Sequence, residues 1–200
     1  MSNVLLLLTS PRGAASLSTK VASDLAARLA KGGTLVSRDY GKSPLPHIDE
    51  DLVTATRSGK SDFSAAERAG ADRANAVIAD VQAADVVVIG ASMINFGPST
   101  ALKGWFDHLA VPGATFRYGA NGAEGLIKGK KVIVVQASAG MYGDGGASAN
   151  DYLSPWLTFV LGFVGITDVE FIRVEGVAYG PEQVEKTLAA AAGRVAAIAA

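Results

Sequence analysis

Four short runs of apolar residues, at 4–8, 86–89, 132–135 and 169–174, set the strongest limit on what this chain can become. Only the last is interrupted, by Glu170 and Arg173. A strand with one wet face alternates apolar with polar residues; a run without alternation is covered on both faces, as in a parallel sheet. A weaker strand is expected at 34–38. Between the strands lie stretches expected to be helical: 17–31, 64–83, 99–109, 152–165 and 181–199. Pro181 suits a first helical turn, with Glu182 favourably placed near its positive end. Strand and helix thus alternate throughout, which predicts a three-layer, doubly wound α/β fold of five parallel strands joined by right-handed crossovers. Such sheets commonly take the order 2-1-3-4-5 and bind ligands beyond the carboxyl ends of strands 1 and 3, where the order reverses.

With 200 residues, 49% of them hydrophobic and 18% charged, residues 1–200 are expected to form one well-filled domain. The formal charge of −1, with scattered Lys and Arg, supplies no field for nucleic acid. Zero cysteines exclude a disulfide framework, a thiolate nucleophile and an iron–sulfur cluster. Two histidines cannot build a histidine-rich metal site. Redox chemistry therefore requires a borrowed cofactor. The run at 4–8 lacks a basic leader and is too short for a secretory core. The stretch 156–166 is broken by Gly162 and Gly165 and falls short of the roughly 20 residues that span a bilayer. A soluble, cytoplasmic chain is expected, with no membrane partner.

Three loops follow expected strands at the ligand-binding edge. The first contains Ser10, Ser16, Leu17 and Ser18 and runs into a helix. Hydroxyls and the unpaired N–H groups of a helix start favour a phosphate dianion. The loop has neither a Walker Gly-Lys-Ser/Thr ending nor the three glycines of a dinucleotide fingerprint. Ser16 or Ser18, taken singly, reads equally as an N-cap. The second loop carries Met93-Ile94-Asn95-Phe96, an amide to read a heterocycle's edge among apolar groups to cover its face. Core packing at Met93 and Phe96, with Asn95 as turn former, is the alternative. The third loop, 137–146, holds Ser138, Ala139, Gly140 and Met141 among many glycines, which let backbone N–H groups approach a ligand closely.

Taken together, these motifs make the chain resemble the FMN-dependent NADH-azoreductase family, one of the flavodoxin-like quinone reductases. The resemblance extends to Leu102-Lys103, Thr115-Phe116-Arg117-Tyr118, Gly125-Leu126 before Gly129-Lys130-Lys131, 161–166, and Glu175-Gly176. It implies that Ser10 and Ser16 to Ser18 bind the FMN phosphate, Met93 to Phe96 line the isoalloxazine, and Ser138 to Met141 contact its pyrimidine side. It also implies NADH or NADPH as donor, quinone or azo acceptors, and a homodimer in which a second subunit completes the site. The family usually has Pro-Met-Tyr-Asn-Phe and Ser-Arg-Gly-Gly; this chain has Ser92-Met93-Ile94-Asn95-Phe96 and Ser138-Ala139-Gly140-Met141.

The flavin itself exchanges hydride, so no catalytic side chain is expected, and donor and acceptor would use one space in turn. N–H groups of residues 139–141 would stabilise charge on the reduced ring. The aromatic residues Trp105, Phe116, Tyr118, Tyr142, Trp156, Phe159 and Phe163 exceed what the core requires, and 156–164 would either bury against a partner or serve as a core helix. His47 reads as part of a surface turn, and His108 as a cation meeting a helix dipole. Asp49, Glu50 and Asp51 start a helix. The competing functions are a flavodoxin-type electron carrier, expected to be more acidic, and a flavin-free phosphate-binding or signalling domain, expected to place acidic residues where Ser10 and Met93 stand.

Overall fold

The computed structural model describes residues 2–120, 122–143 and 147–200. A parallel sheet of five strands forms from β1 (Asn3–Leu8), β2 (Thr34–Asp39), β3 (Val86–Ser92), β6 (Lys131–Ala137) and β7 (Asp168–Val174), in the order β2-β1-β3-β6-β7. Counting these strands alone, the order is the expected 2-1-3-4-5, so the chain has the flavodoxin-like α/β arrangement. The remaining two strands, β4 (Phe116–Gly119) and β5 (Gly122–Gly125), form a separate antiparallel ribbon. That ribbon was not anticipated.

The apolar runs work because successive side chains in a strand point to opposite faces. Leu5, Leu7, Val87, Ile89, Val132 and Val134 enter one core, and Val4, Leu6, Leu8, Val88, Ile133 and Val135 enter the other. The first core is closed by α3 (Ala65–Ala83), α4 (Thr100–Leu109) and α5 (Ser154–Phe163), through Val81, Trp105 and Leu157 among others. The second is closed by α1 (Leu17–Leu29) and α6 (Pro181–Ile198), through Leu25, Ala191 and Val195. At the sheet's edge, β2 pairs with β1 alone, and its Leu35 and Val36 are exposed. That explains its weak pattern. No helix among the described residues is long and apolar enough to cross a membrane.

Local signals set the helix starts. Ser64 and Glu67 form a reciprocal capping box at α3, and Ser99 caps α4 through the N–H of Leu102. Asp49 caps α2 (Glu50–Arg57) by accepting the N–H of Leu52 at 2.8 Å, so the acidic triplet does start a helix. Gly90 in β3 matters to the site: a Cβ there would meet Ala22 Cβ and the Ser18 carbonyl, both at 3.3 Å. Its missing side chain lets the first turn of α1 lie directly against the sheet.

Candidate active site

Three loop segments converge beyond the carboxyl ends of β1, β3 and β6. Ser16 caps α1, its Oγ accepting the N–H of Thr19 at 3.3 Å. Its Oγ also lies 3.0 Å from Ser18 Oγ, which in turn is 3.4 Å from Ser92 Oγ at the end of β3. Residues 74 positions apart therefore share one chain of hydroxyls. All three serines are buried, as is Ser10, whose Oγ accepts the N–H of Arg12 at 3.3 Å. Among the described residues, the N–H groups of Leu17 and Ser18, at the start of α1, donate to no protein acceptor. Helix-start amides beside a string of hydroxyls offer neutral donors to an anion.

The second segment joins the first through Thr9, whose Oγ1 donates to the Gly90 carbonyl at 3.0 Å and whose carbonyl accepts from Ser99 Oγ at 2.9 Å. Past Ser92, Ile94 and Gly97 exchange reciprocal backbone hydrogen bonds of 2.9 and 3.1 Å. Closing so tight a turn forces Asn95 and Phe96 to φ +47° and +72°, the left-handed region. Asn adopts it readily; for Phe it costs about 1–2 kcal/mol. This strain holds the Phe96 ring half exposed, edge-on to Tyr142 with centroids 6.1 Å apart. The Phe96 carbonyl accepts the N–H of Tyr152 at 3.0 Å, fixing the turn to the approach of α5.

The third segment is fastened by its carbonyls. Those of Ser138, Ala139 and Gly140 accept the N–H groups of Val177, Ala178 and Gly176 at 3.3, 3.1 and 2.9 Å. The N–H groups of Ala139, Gly140 and Met141 donate to no acceptor among the described residues. They form a second set of free amide donors. Asp144, Gly145 and Gly146 of the same loop lie outside the described residues.

Ser16 and Leu17, Met93 and Ile94, and Ser138 and Ala139 line a single cleft of about 140 Å³. Ser10 and Ser18 lie buried behind this wall, while Asn95, Phe96, Gly140 and Met141 stand beyond it rather than in its lining. Arg12, Ser92 and Val177 also line the cleft and were not among the expected site residues. The position of Ser92 at the carboxyl end of the third strand is the signal that points to it. A cleft of this size is below the roughly 300–1,000 Å³ of a ligand-enclosing pocket. It encloses only part of a phosphorylated ring system, leaving the rest over the exposed Asn95, Phe96 and Met141. The donor set suits such a ligand: hydroxyls and helix-start amides for the phosphate, apolar side chains and loop amides for the ring.

Next to the third segment, Asp151 accepts the N–H groups of Leu153 and Ser154 at 2.9 and 3.0 Å and pairs with Arg173 Nη1 at 3.1 Å. Burial opposes its ionisation, but hydrogen bonds from Ser154, Arg173 and Leu153 outweigh it and hold the carboxyl below its ordinary value. A lowered carboxyl contributes stability above the ordinary carboxylate range, about pH 4, and loses it as pH falls through the folded value. Asp151→Asn should therefore flatten the acid limb of a melting curve series between roughly pH 3 and 7. An unchanged acid limb would refute the assignment.

Two expectations divide or fail. Of the surplus aromatics, Trp105 and Phe116 are core, Tyr142, Trp156 and Phe163 are half-buried, and Tyr118 and Phe159 are 76% and 71% exposed. Thus α5 is a core helix through Leu157, Val160 and Leu161 while offering Phe159 outward. His108 stands in the last turn of α4 as expected but is completely buried, with Nδ1 2.8 Å from the Gly104 carbonyl and Nε2 without a partner among the described residues. A carbonyl neighbour makes Nδ1 a donor. The helix end at His108 is covered because the chain turns back at Thr115, whose Oγ1 bonds the Leu109 carbonyl at 2.7 Å. His47 is exposed in an irregular segment, as expected.

The model of the family described as having a flavodoxin-like fold matches residues 2–199. The chain is 45% identical over 202 aligned positions to an FMN-dependent NADH:quinone oxidoreductase of Agrobacterium fabrum, covering 100% of this chain and 98% of that protein. It is 46% identical to FMN-dependent NADH:quinone oxidoreductase 1 of Rhizobium etli, at the same coverage. A crystal structure of azoreductase from Bacillus anthracis superposes with a TM-score of 0.89 at 28% identity, covering 100% of this chain and 99% of that one. The chain belongs to the flavodoxin-like family, alongside the FMN-dependent NADH:quinone oxidoreductases.

Proposed function

We propose that residues 1–200 act as one FMN-binding domain of a cytoplasmic, homodimeric NADH:quinone oxidoreductase that also cleaves aromatic azo compounds. The observation that carries this reading is the hydroxyl chain from Ser16 through Ser18 to Ser92, which joins the anion-binding loop to the aromatic-lined one. When bound, FMN supplies the chemistry, taking hydride from the nicotinamide and passing it to the acceptor. Ser16 and the N–H group of Leu17 hold the phosphate from the cleft wall, and Ser10 and Ser18 support that wall from behind. Met93, Ile94 and Phe96 cover the ring, and Asn95 reads its edge. The free N–H groups of Ala139, Gly140 and Met141 face the charge that gathers on the pyrimidine side, where fixed dipoles are most effective. Half-exposed Phe96 and Met141 leave room, among the described residues, for donor and acceptor to succeed one another in ping-pong turnover. A second subunit, drawn to Phe159, Tyr152 and Tyr118, closes that space. NADH is favoured as donor by the names of the relatives.

Purified protein should be yellow, oxidise NADH in the presence of a benzoquinone and, more slowly, bleach an azo dye. Ser18→Ala should weaken FMN about tenfold, since Ser16 loses the hydroxyl that positions it in the cleft wall, and leave riboflavin binding unchanged. Asn95→Ala should weaken both flavins. A colourless protein indifferent to added flavin refutes the proposal, as do two variants that retain FMN like the wild type.

A further inference from the structure

The chemistry above leaves one buried acidic group without a task. Glu175 directly follows β7 and is only 8% exposed. Its Oε1 accepts the N–H of Tyr142 at 3.0 Å and its Oε2 the N–H of Gly143 at 3.1 Å. These are the two peptides that follow the three whose N–H groups have no acceptor among the described residues. A run of five consecutive amide donors thus has a resident carboxylate at one end and open positions at the other. Successive backbone N–H groups of this kind form an anion-binding concavity.

Glu175 is itself held. Arg173 Nη1 lies 3.4 Å from its Oε1 and 3.1 Å from Asp151 Oδ2, and Arg173 Nη2 donates to Ser154 Oγ at 3.1 Å. Ser154 Oγ is 2.8 Å from Gln136 Oε1 in β6. The N–H of Glu175 donates to Thr187 Oγ1 in α6 at 3.0 Å. The carboxylate is therefore anchored to β6, α5 and α6 before it touches the loop. The backbone bonds at Ser138, Ala139 and Gly140 fix the incoming half of that loop, and for the outgoing half Glu175 supplies both hydrogen bonds found at Tyr142 and Gly143. Met141, between the two halves, is half exposed and has little packing to orient it.

We propose that Glu175 is a positioning residue, which by gripping the Tyr142 and Gly143 amides keeps the N–H groups of residues 139–141 preorganised for the ring of bound flavin and so favours its reduced form. This rests on the flavin reading. The effect proposed is on the ring, so FMN and riboflavin should respond alike.

The test compares Glu175→Ala, Glu175→Asp and Glu175→Gln with the wild type. Apoprotein is titrated with FMN and with riboflavin by fluorescence quenching, and the two-electron midpoint potential of the FMN-loaded protein is measured against a reference dye. Glu175→Ala should weaken both flavins alike, by about tenfold. It should also lower the preference for reduced over oxidised flavin about tenfold, which moves the potential down by about 30 mV. Glu175→Asp, one methylene too short to reach both amides, should shift the potential in the same direction by about half as much. Glu175→Gln keeps one acceptor oxygen and turns its NH2 towards the other N–H, so it holds one of the two amides and should lower the potential by about half as much as Glu175→Ala. Unchanged affinity and potential in the alanine variant would overturn the proposal. If that variant does not fold, an unchanged potential in Glu175→Asp does so. An equal upward shift in all three variants would mean that Glu175 acts by charge alone, which also overturns it. A wild-type protein that takes up neither flavin sinks the flavin reading instead.

Discussion

Ser16→Asp is expected to abolish FMN retention while leaving the fold intact. Aspartate is as good an N-cap as serine, so its carboxylate can still accept the N–H of Thr19 and start α1. Near the positive end of a helix, its charge is even favourable to the empty protein. The same charge, however, sits in the lining of the cleft, 3.0 Å from where Ser18 Oγ now meets Ser16 Oγ. A phosphate dianion brought there meets a like charge in a site shielded from solvent, at the amides it would need itself. Two charges about 4 Å apart at an effective dielectric near 20 repel by several kcal/mol, which corresponds to a loss of at least 100-fold in affinity. Riboflavin, which has no phosphate, should keep its affinity within about threefold. Fluorescence titration with the two flavins measures the contrast, and a circular dichroism melt checks the fold. FMN binding within tenfold of the wild type would remove the phosphate from this loop.

The second large effect concerns stability. Gly165 follows α5 with φ +102°, a conformation L residues rarely adopt. A Cβ added there would lie 2.5 Å from the Ile127 carbonyl oxygen and 2.9 Å from the Gly125 carbonyl carbon. Both obstacles are backbone, so no side-chain rotation relieves them. The contact is mutual, since a Cβ on Gly125 would fall 2.1 Å from the nitrogen of Gly165. Through this pair the ribbon of β4 and β5 lies against the end of α5, next to the hydrogen bond of 2.9 Å from Ile127 N–H to the Val164 carbonyl. Backbone strain and overpacking each cost roughly 1–3 kcal/mol, so Gly165→Ala should destabilise the protein by about 4 kcal/mol. For a chain of this length that is a fall in Tm of about 8–16 °C. Gly193→Ala is the control: it lies inside α6 with nothing within 4 Å of the added methyl, and should be neutral or stabilising by up to about 1 kcal/mol. A Tm for Gly165→Ala within about 2 °C of the wild type contradicts the close backbone contact.

The contrast between β1 and β5 explains which parts of the structure could be read in the residues. Val4 to Leu8 are buried on both faces, so hydrophobicity alone announces the strand. Gly122, Ala123 and Glu124 are exposed, and the ribbon they belong to is placed by Gly125 lying on Gly165, a contact made of missing side chains. Periodicity cannot register that. At the site, strand order put the three loops at one edge, and composition showed which hydroxyls and amides they could offer. The links between them depend on how closely α1 approaches β3, which Gly90 permits. Ser92 and Glu175 stand in recognisable motifs without a legible role for the same reason: each acquires that role from a partner far away in sequence, Ser18 for one and Tyr142 for the other. The burial of His108 was not legible because helix periodicity does not reveal that the chain folds back over the helix end.

The string of serine hydroxyls also bears on how the protein matures. A cup lined with charged groups would hold them unsatisfied and mutually repelling until an anion arrived, making folding wait for the cofactor. Among the described residues of the cleft lining only Arg12 is charged, while Ser16, Ser18 and Ser92 satisfy one another at 3.0 and 3.4 Å and the cap to Thr19 needs no outside partner. Neutral donors that also accept from each other let the polypeptide reach its final shape first and take up, surrender or exchange its nucleotide afterwards. Loss of the nucleotide on dilution should then be an ordinary reversible dissociation, with the emptied chain ready to be refilled.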